Sequence, residues 1–430
     1  MKRSYFCIEY PYTFLIMKNR KIVPHIQERN RSKFSRIIVL TGARQTGKTT
    51  LVKKAFPHYA YVSIEDPALR GTYANLSAQQ WAKLYPNALV DEVQKEPKIV
   101  ESIKATYDQY DEPRYILLGS SQLLLMEKVR ESLAGRCSII EMYPLTLPEL
   151  QTDDWDDNIS DSLFQNLLKS GGHEYLPSFL LDASRTKKLE AYAHYLKYGG
   201  FPAISGDDSG EDEKFEWLHN YVRTYLERDI RDLASFRDLD PFVKLQQYLA
   251  INTGNLINAS SISKLLGINI KTVQRYITYF EISYQAIVLP AWSKNQNKRL
   301  VKAPKVHQMD QGVVQAVLRK RGGMTGNEYE SAIIAEIYKQ AKNVQSLAQF
   351  SFLRTHDNKE VDLLLEFPDF YYAFEIKAAN RVNRVDARHL FGLEELLDKP
   401  IKKAFLLSND EETKHFDDKT VALHAAMFLG

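Results

Sequence analysis

Residues 42–50 constrain the fold of this chain more than any other stretch. They read Gly-Ala-Arg-Gln-Thr-Gly-Lys-Thr-Thr and fit the pattern G-x-x-x-x-G-K-[ST]. The apolar run at residues 36–40 predicts a buried strand before them, and Leu51, Val52 and Phe56 follow with helical spacing. A glycine loop between a strand and a helix turns backbone N–H groups and a helix N-terminus toward a chain of phosphates.

The side chains of this loop have distinct expected roles. Lys48 should reach the β- and γ-phosphates of ATP, and the Thr49 hydroxyl should complete the coordination of Mg²⁺. A glycine turn that merely fits the pattern is the alternative, and the flanking strand and helix argue against it. The residues expected to contact the nucleotide are Gly42, Ala43, Arg44, Gln45, Thr46, Gly47, Lys48, Thr49 and Thr50.

Length and composition indicate a globular protein of several domains. The chain has 430 residues, which suggests about three domains of roughly 150 residues each. Its two cysteines, Cys7 and Cys137, form neither a zinc set nor a disulfide framework and favour a reducing compartment. No apolar run approaches the roughly 20 residues that span a bilayer, and Glu9 interrupts the short apolar run near the start, so no signal peptide is expected. We expect a cytoplasmic protein with no membrane partner.

Charge is strongly segregated along the chain although the net charge is only +3. Residues 1–60 and 241–325 are rich in Lys and Arg, whereas residues 151–240 are rich in Asp and Glu. Blocks of alternating sign suggest separate modules, and the basic ones are candidates for binding nucleic acid. Packing of acidic modules on basic ones is the alternative.

Adjacent acids follow the third apolar run of the first domain. Residues 61–65 predict a second strand and residues 88–90 a third, which ends at Asp91 and Glu92. Asp91 would hold the Mg²⁺ shell, and Glu92 would polarise the attacking water. Surface acids at an ordinary strand end are the alternative, and the phosphate loop upstream favours the functional interpretation.

Two further strands are expected, at residues 115–119 and 138–142. The first would deliver Ser120, with Ser121 as second choice, to bond the γ-phosphate or the lytic water. Arg136 precedes the other strand and could act as an arginine finger, in cis or across a subunit boundary, or as a structural arginine. Alternating strands and helices predict a mostly parallel sheet with its ligand at the carboxyl ends of the strands.

These motifs together resemble a prokaryotic family of AAA-type P-loop ATPases whose members carry a C-terminal domain of unknown function 4143. The resemblance rests on residues 42–50, 90–94, 119–121, 132–136 and 143–146, and it covers nearly the whole chain from Met17 onward. It implies an ATPase domain with an additional catalytic-glutamate strand, which supports the role given to Glu92. Residues 1–16 would be an N-terminal extension and residues 17–150 the ATPase domain.

Residues 151–240 are expected to form a helical lid or connector. Tyr-Gly-Gly-Phe-Pro at 198–202 breaks two predicted helices and resembles the Gly-Gly-aromatic-Pro signature of the family. A long helix is predicted over residues 215–233. Its Arg228 and Arg231 could approach the nucleotide, although ion pairs within the helix explain them more simply.

Residues 241–325 have the pattern of a helix-turn-helix. Two amphipathic segments, 260–266 and 271–277, flank the turn Gly-Ile-Asn at 267–269, and the apolar residues 287–289 could begin a wing. A protein-packing role is the alternative to DNA binding. Base and phosphate contacts are expected from Lys271, Thr272, Gln274 and Arg275, which lie early in the second helix. Additional phosphate contacts are expected from Lys294, Lys298, Arg299, Lys302 and Lys305.

Residues 326–430 resemble the PD-(D/E)XK nuclease fold, with a helix, three strands, a second helix at 385–397 and a further strand. Glu375 and Lys377 alternate on one strand and share a face, while Asp362 and Glu330 can reach them from neighbouring elements. Three carboxylates suit Mg²⁺, and Lys377 could position or help deprotonate water. Val361 replaces the usual Pro before the Asp. A structural ion-pair cluster that never cuts is the alternative.

The sequence therefore predicts an ATP- and Mg²⁺-dependent ATPase with an α/β multidomain architecture. Its nucleotide cycle would control a DNA-binding winged helix and a nuclease-like domain. The alternative is a regulatory or signalling ATPase with protein partners and a catalytically inactive nuclease-like domain. A small-molecule kinase is less favoured because no acceptor-substrate motif is visible. A homo-oligomer is compatible with an arginine finger acting in trans.

Overall fold

The computed structural model describes residues 17–119, 132–170, 182–206, 210–226, 239–295, 297, 299, 302–357 and 359–430. Among these residues, no helix combines the length and apolarity that a membrane crossing requires. Several residues predicted to have a function lie outside the described ranges: Ser120, Ser121, Arg228, Arg231 and Lys298.

The first domain is built on a five-stranded parallel sheet with the order β2-β3-β4-β1-β5. β4 is inserted between β1 and β3. It is the additional strand that the family resemblance implies. The strands are β1 (Ile37–Thr41), β2 (Ala60–Ser63), β3 (Asn87–Asp91), β4 (Arg114–Leu118) and β5 (Cys137–Glu141). The helices are α1 (Val23–Arg31), α2 (Lys48–Ala55), α3 (Pro67–Ala74), α4 (Ala78–Leu84) and α5 (Pro97–Gln109).

Helices cover both faces of this sheet because successive strand residues point to opposite sides. In β1, Ile38 and Leu40 pack with α1 and α2, whereas Ile37 and Val39 pack with α4 and α5. The continuous apolar runs seen in the sequence are therefore strands buried on both faces. The phosphate loop and Asp91 both lie at the carboxyl edge of the sheet.

A helical segment follows, with α6 (Leu147–Leu150), α7 (Leu163–Ser170), α8 (Arg185–Tyr198) and α9 (Glu211–Tyr221). The helix predicted over 215–233 corresponds to α9, which begins earlier, at Glu211, and continues into a π-helical turn, Val222–Leu226. Residues 227–233 lie outside the described ranges. A change from i→i+4 to i→i+5 hydrogen bonds interrupts the regular helix.

The glycine pair at the end of α8 ties three parts of the chain together. Gly200 N–H donates to the buried Asp310 carboxylate at 2.8 Å, and Leu145 N–H donates to Gly200 C=O at 2.6 Å. A Cβ on Gly200 would lie 2.3 Å from Leu145 O, and one on Gly199 would lie 2.0 Å from Asp310 Oδ1. The signature therefore needs glycine because backbone and carboxylate approach it too closely for any side chain.

Four helices and a two-stranded antiparallel hairpin form the next unit of the described chain. Asn269 accepts a hydrogen bond from Lys271 N–H at 2.8 Å and so caps the start of the helix that follows the turn. Gly267 adopts a φ of +68° in the turn between α11 and α12. The elements are α10 (Asp240–Ile251), α11 (Ala259–Leu266), α12 (Ile270–Ile282), β6 (Ala286–Leu289), β7 (Lys305–Gln308) and α13 (Gln311–Leu318).

The C-terminal unit packs the long helix α14 (Gly326–Asn343) against a six-stranded mixed sheet with the order β12-β13-β11-β10-β9-β8. The predicted α-helix at 385–397 is wrong: two 3₁₀ turns, Arg388–Leu390 and Leu393–Glu395, stand there, and Gly392 between them has a φ of +65°. A left-handed residue cannot continue a right-handed helix. The strands and last helix are β8 (Gln349–Arg354), β9 (Glu360–Glu366), β10 (Tyr371–Ile376), β11 (Ile401–Ser408), β12 (Lys414–His415), β13 (Thr420–His424) and α15 (Ala425–Leu429).

Candidate functional site

The phosphate loop lies directly against the start of the segment that follows β5. Gly42 has a φ of +150°, and a Cβ there would lie 2.1 Å from Met142 O. Gly47 has a φ of +89° and precedes α2, which begins at Lys48. Both glycines are therefore required by the backbone path, and the N–H groups at the start of α2 are available to a phosphate.

Lys48 is held by the loop itself. Its Nζ donates to the carbonyls of Gly42 and Ala43, each at 2.7 Å, and the side chain is buried. Thr46 Oγ1 donates to the same Ala43 carbonyl at 2.8 Å. The ammonium is thus already placed within the loop that would surround a phosphate chain.

Thr49 and Asp91 meet as predicted for a Mg²⁺ site. Thr49 Oγ1 donates to Asp91 Oδ2 at 2.8 Å, and Tyr61 OH donates to the same oxygen at 2.8 Å. Burial and the Asp91 carboxylate raise the pKa of Tyr61 to about 12, so this hydroxyl stays a donor. A hydroxyl and a carboxylate oxygen at this distance are the protein ligands that Mg²⁺ takes beside phosphate oxygens. Sequence reasoning missed Tyr61, whose only signal is its position in β2, next to β3.

Glu92 has the left-handed conformation, with φ +56° and ψ +37°. For a residue with a side chain this costs roughly 1–3 kcal/mol. Its N–H donates to Asp91 Oδ1 at 3.0 Å, and Gln94 Nε2 donates to Glu92 Oε2 at 2.6 Å. The two adjacent carboxylates therefore have different partners: Asp91 accepts from Thr49, Tyr61 and the Glu92 N–H, whereas Glu92 accepts from Gln94.

Arg20 links the phosphate loop to the segment that follows β5 through hydrogen bonds. This buried guanidinium donates to Thr46 O at 2.9 Å and to Tyr143 O at 2.5 Å. Its Nε lies 3.2 Å from Glu149 Oε1, and the carboxylate of Glu149 is fully buried. Sequence reasoning missed Arg20 because no local motif surrounds it.

A cavity of about 190 Å³ opens beside the loop. Its walls combine Gln45, Thr46, Gly47 and Thr50 with apolar side chains from separate parts of the chain. Those apolar side chains include Met17, Met142, Leu145 and Pro202. Apolar walls next to a phosphate loop suit the flat face of a nucleobase.

The nuclease-like residues also lie close together. Lys377 Nζ is 2.8 Å from Glu375 Oε1, and Asp362 Oδ2 accepts a hydrogen bond from Ile376 N–H at 2.8 Å. Burial and the Asp362 charge raise the pKa values of Glu330 and Glu375 to about 8. Asp362 and Glu375 are both buried.

Lys305 joins this cluster, so its predicted phosphate contact is wrong. It is only 3% exposed, and its Nζ lies 3.2 Å from Glu330 Oε1 and 2.6 Å from Glu360 Oε1. Burial alone would lower the pKa of Lys305, but the carboxylates of Glu330, Asp362 and Glu360 outweigh it and raise the pKa.

The metal set predicted for this cluster has no support in the geometry. Within the described ranges, no three His, Cys, Asp or Glu side chains are placed to hold a metal ion. Glu330, Asp362 and Glu375 are therefore not assembled as a Mg²⁺ site here. The ammonium of Lys305 already pairs with Glu330.

Comparisons with known proteins assign two of these units to families. An AAA domain matches residues 34–151, and a domain of unknown function 4143 matches residues 325–428. Residues 34–151 are therefore an AAA-type P-loop domain, and residues 325–428 are a domain of unknown function 4143. A further domain of unknown function, 8612, matches residues 189–322 between them.

Curated relatives of this AAA-type protein are uncharacterized. One from Mycobacterium tuberculosis is 26% identical over 354 residues, covering 79% of this chain and 70% of that protein. One from Haemophilus influenzae is 22% identical over 371 residues, covering 79% of this chain and 83% of that protein.

Solved structures of similar proteins include a Walker-type ATPase of Pyrococcus abyssi, with 12% identity and a TM-score of 0.44 over 69% of this chain and 95% of that one. The ORC2 protein of Aeropyrum pernix has 10% identity and a TM-score of 0.32, over 72% of this chain and 96% of that one.

Arg136 of the AAA domain lies at the wrong edge of the sheet for a cis arginine finger. It precedes β5, and β5 pairs with β1 so that Cys137 faces Ile37 while Glu141 faces Thr41. In this register Arg136 lies opposite Arg36, and the loop begins six residues further along, at Gly42, which is about 20 Å at ~3.3 Å per residue. Arg136 Nε instead pairs with Asp108 at 2.7 Å. The cis role is wrong, and a role in trans stays a prediction.

The predicted DNA-contacting side chains lie on one surface of α12. Lys271, Gln274 and Arg275 are exposed and Thr272 is partly exposed, while Val273 and Tyr276 between them are buried. Lys294 and Lys302 of the hairpin are exposed. Arg299 is not available as predicted, because its NH1 pairs with Glu366 at 2.7 Å.

Proposed function

We propose that this protein binds MgATP at residues 42–50 and hydrolyses it. The observation that carries the proposal is the 2.8 Å hydrogen bond from Thr49 Oγ1 to Asp91 Oδ2 beside the phosphate loop, next to Glu92 in a left-handed conformation. Thr49 and Asp91 would hold Mg²⁺ against the β- and γ-phosphates, and Lys48 would neutralise the phosphate charge. Glu92 would orient and polarise the water. The apolar cavity beside Thr50 would take the base.

We further propose that the nucleotide state controls a DNA-binding surface on α12. In support, Tyr284 follows α12 directly, and its OH lies 3.2 Å from Thr41 Oγ1 and 3.4 Å from Glu141 Oε1. Thr41 immediately precedes the phosphate loop. A change in the loop on nucleotide binding would therefore reach α12 through one side chain.

DNA is the ligand that the chemistry of α12 favours. Lys271 and Arg275 supply cations for phosphates, and Gln274 supplies an amide able to read a base edge. Because cations dominate this set, affinity for DNA should fall steeply as salt is raised.

The alternative function is a regulatory ATPase whose C-terminal domain recognises a protein and does not cut nucleic acid. One observation favours it for that domain: Lys305 is buried between Glu330 and Glu360, inside the acidic cluster. The two functions share the ATP site and differ in whether any Mg²⁺-dependent cleavage of DNA or RNA can be detected.

Lys48→Ala tests the ATP site. Removing the ammonium should weaken MgATP binding by about tenfold or more, because a charge-assisted contact to phosphate is lost. A fluorescent ATP analogue titrated into wild type and variant measures this. Lys54→Ala removes an exposed lysine of the same helix and should bind as wild type does. Unchanged affinity in Lys48→Ala would refute the loop assignment.

A further inference from the structure

Lys305 belongs to the hairpin, yet its ammonium lies among carboxylates of the C-terminal domain. Its Nζ is 2.6 Å from Glu360 Oε1 on β9 and 3.2 Å from Glu330 Oε1 on α14. Its side chain is 4% exposed, and Glu330 is 12% exposed. A lysine this deeply buried is rarely stable unless it is paired, and here two separate elements supply the partners.

Backbone contacts hold the hairpin segment in this place. Trp292 N–H donates to Phe352 O at 2.6 Å, and Phe352 N–H donates to Pro290 O at 3.1 Å, which joins the end of β6 to β8. Trp292 Nε1 also donates to Tyr371 OH at 3.0 Å. The Lys305 ammonium lies 5.5 Å from the centre of the Phe352 ring. The lysine is therefore a fixed part of the cluster.

Four carboxylates, those of Glu330, Glu360, Asp362 and Glu375, share two ammonium groups, because Lys377 Nζ pairs with Glu375 Oε1 at 2.8 Å while Lys305 pairs with Glu330 and Glu360. Glu360 and Asp362 share a face of β9 because they are two residues apart. Glu375 on β10, which pairs with β9, is 3% exposed, and among the described atoms its Oε2 has no hydrogen-bond partner. A buried oxygen of this kind costs free energy unless a cation or donor reaches it. Carboxylate oxygens around a buried cation are what a hard divalent ion also requires.

We propose that Lys305 is a built-in counter-cation that occupies the acidic cluster and closes it to divalent metal. In this arrangement the cluster of Glu330, Glu360, Asp362 and Glu375 is a cation site filled by the chain itself. With Lys305 in place, no three of these carboxylates among the described residues are set to hold a metal ion. Without the ammonium they lose their counter-charge and can close on Mg²⁺ or Mn²⁺ instead. The inference concerns the C-terminal domain and does not depend on ATP hydrolysis.

Calorimetric titration with MnCl₂, without nucleotide, tests the proposal. Every protein carries Asp91→Asn, so that the ATP site does not contribute. Lys305→Met keeps the length of the side chain and should bind one Mn²⁺ about tenfold or more tightly than the Lys305 protein, because no ammonium competes. Adding Glu375→Gln to Lys305→Met should abolish that gain. Mn²⁺ should also raise the Tm of Lys305→Met and leave that of the Lys305 protein unchanged.

Lys320→Met is the matched control. Lys320 pairs at 2.6 Å with Glu328, which lies on α14 like Glu330 but is not part of the cluster. This variant should bind Mn²⁺ no better than the Lys305 protein. A folded Lys305→Met that gains no Mn²⁺ site overturns the proposal. The proposal is also overturned if the protein that keeps Lys305 binds one Mn²⁺ and Glu375→Gln removes this binding. That comparison needs no substitution at Lys305. If Lys305→Met does not fold, Lys305→Gln is titrated in its place.

Discussion

Glu92 is the residue at which backbone conformation and chemistry are most closely linked. A left-handed Glu is retained only where its surroundings hold it. Here the Asp91 carboxylate accepts a hydrogen bond from the Glu92 N–H, and Gln94 Nε2 donates to the Glu92 carboxylate at 2.6 Å. This is the arrangement we expect of a residue that positions water while its neighbour binds Mg²⁺.

Glu92→Gln should therefore bind ATP with wild-type affinity and hydrolyse it slowly. Loss of a general base typically lowers the rate by about 10²-fold or more. Phosphate release and ATP affinity, measured on the same preparation, separate the two effects. Glu101→Gln removes an exposed carboxylate from α5 and should retain the wild-type rate. Hydrolysis that is unchanged in Glu92→Gln would remove this residue from the proposed role.

At the scale of single elements, the local sequence of α12 determines which of its side chains are buried and which face solvent. Asn269 caps its start, and Val273, Tyr276 and Phe280 bury one face against α10. That leaves Lys271 and Arg275 on the solvent face. The basic charge of this segment is therefore partly available for a ligand, whereas the basic charge of β7 is not, since Lys305 is buried.

Changing Lys271 and Arg275 together to Ala should weaken DNA binding by about tenfold or more and lower the salt slope by about two. Fluorescence anisotropy with a labelled duplex at several salt concentrations measures both quantities. The control pair Lys83→Ala with Lys98→Ala removes the same charge from exposed positions on α4 and α5. Equal losses in both pairs would indicate a general charge effect, and no DNA binding by wild type at low salt would contradict the DNA proposal.

At the scale of the whole molecule, the AAA domain and the C-terminal units share buried polar contacts. Lys339 and Glu336 on α14 are fully buried and 3.1 Å apart, and Leu147 N–H donates to Glu336 Oε1 at 2.7 Å. Tyr284 packs edge-on against Tyr143 with ring centres 5.6 Å apart. Buried polar contacts are costly to break partially, so the domains should move as coupled bodies when the nucleotide changes.

Tyr284→Phe should uncouple the ATP site from α12. The ring contact with Tyr143 is kept, while the hydroxyl contacts with Thr41 and Glu141 are lost. ATP affinity should stay within about fivefold of wild type. The hydrogen bond to Thr41 has a net free energy of about 1 kcal/mol, and the contact with Glu141 is long, at 3.4 Å. The ratio of DNA affinities with and without ATP should move toward one. Tyr279→Phe, which removes a hydroxyl from α12 itself, is the control; a wild-type ratio in Tyr284→Phe would refute this route.

The phosphate loop and the acids at the end of β3 were predictable because their signals are local. A glycine loop after an apolar run, and acids at the end of the third strand, depend only on neighbouring residues, and parallel strands then bring them to one edge of the sheet. The helix-turn-helix was predictable for the same reason, since the cap at Asn269 and the turn at Gly267 act within a few residues.

Only the tertiary structure decided which charges meet. The register of β5 against β1 places Arg136 at the far edge of the sheet. The attachment of the hairpin to β8 brings Lys305 to Glu330 and Glu360. Arg20 reaches Thr46 and Tyr143 only because α1 packs on the same face as the loop. Such pairings join residues distant in the chain, and no periodicity or spacing in the sequence encodes the energy of a contact between them. By itself the sequence determined an AAA-type nucleotide site, whereas packing determined that Lys305 occupies the acidic cluster.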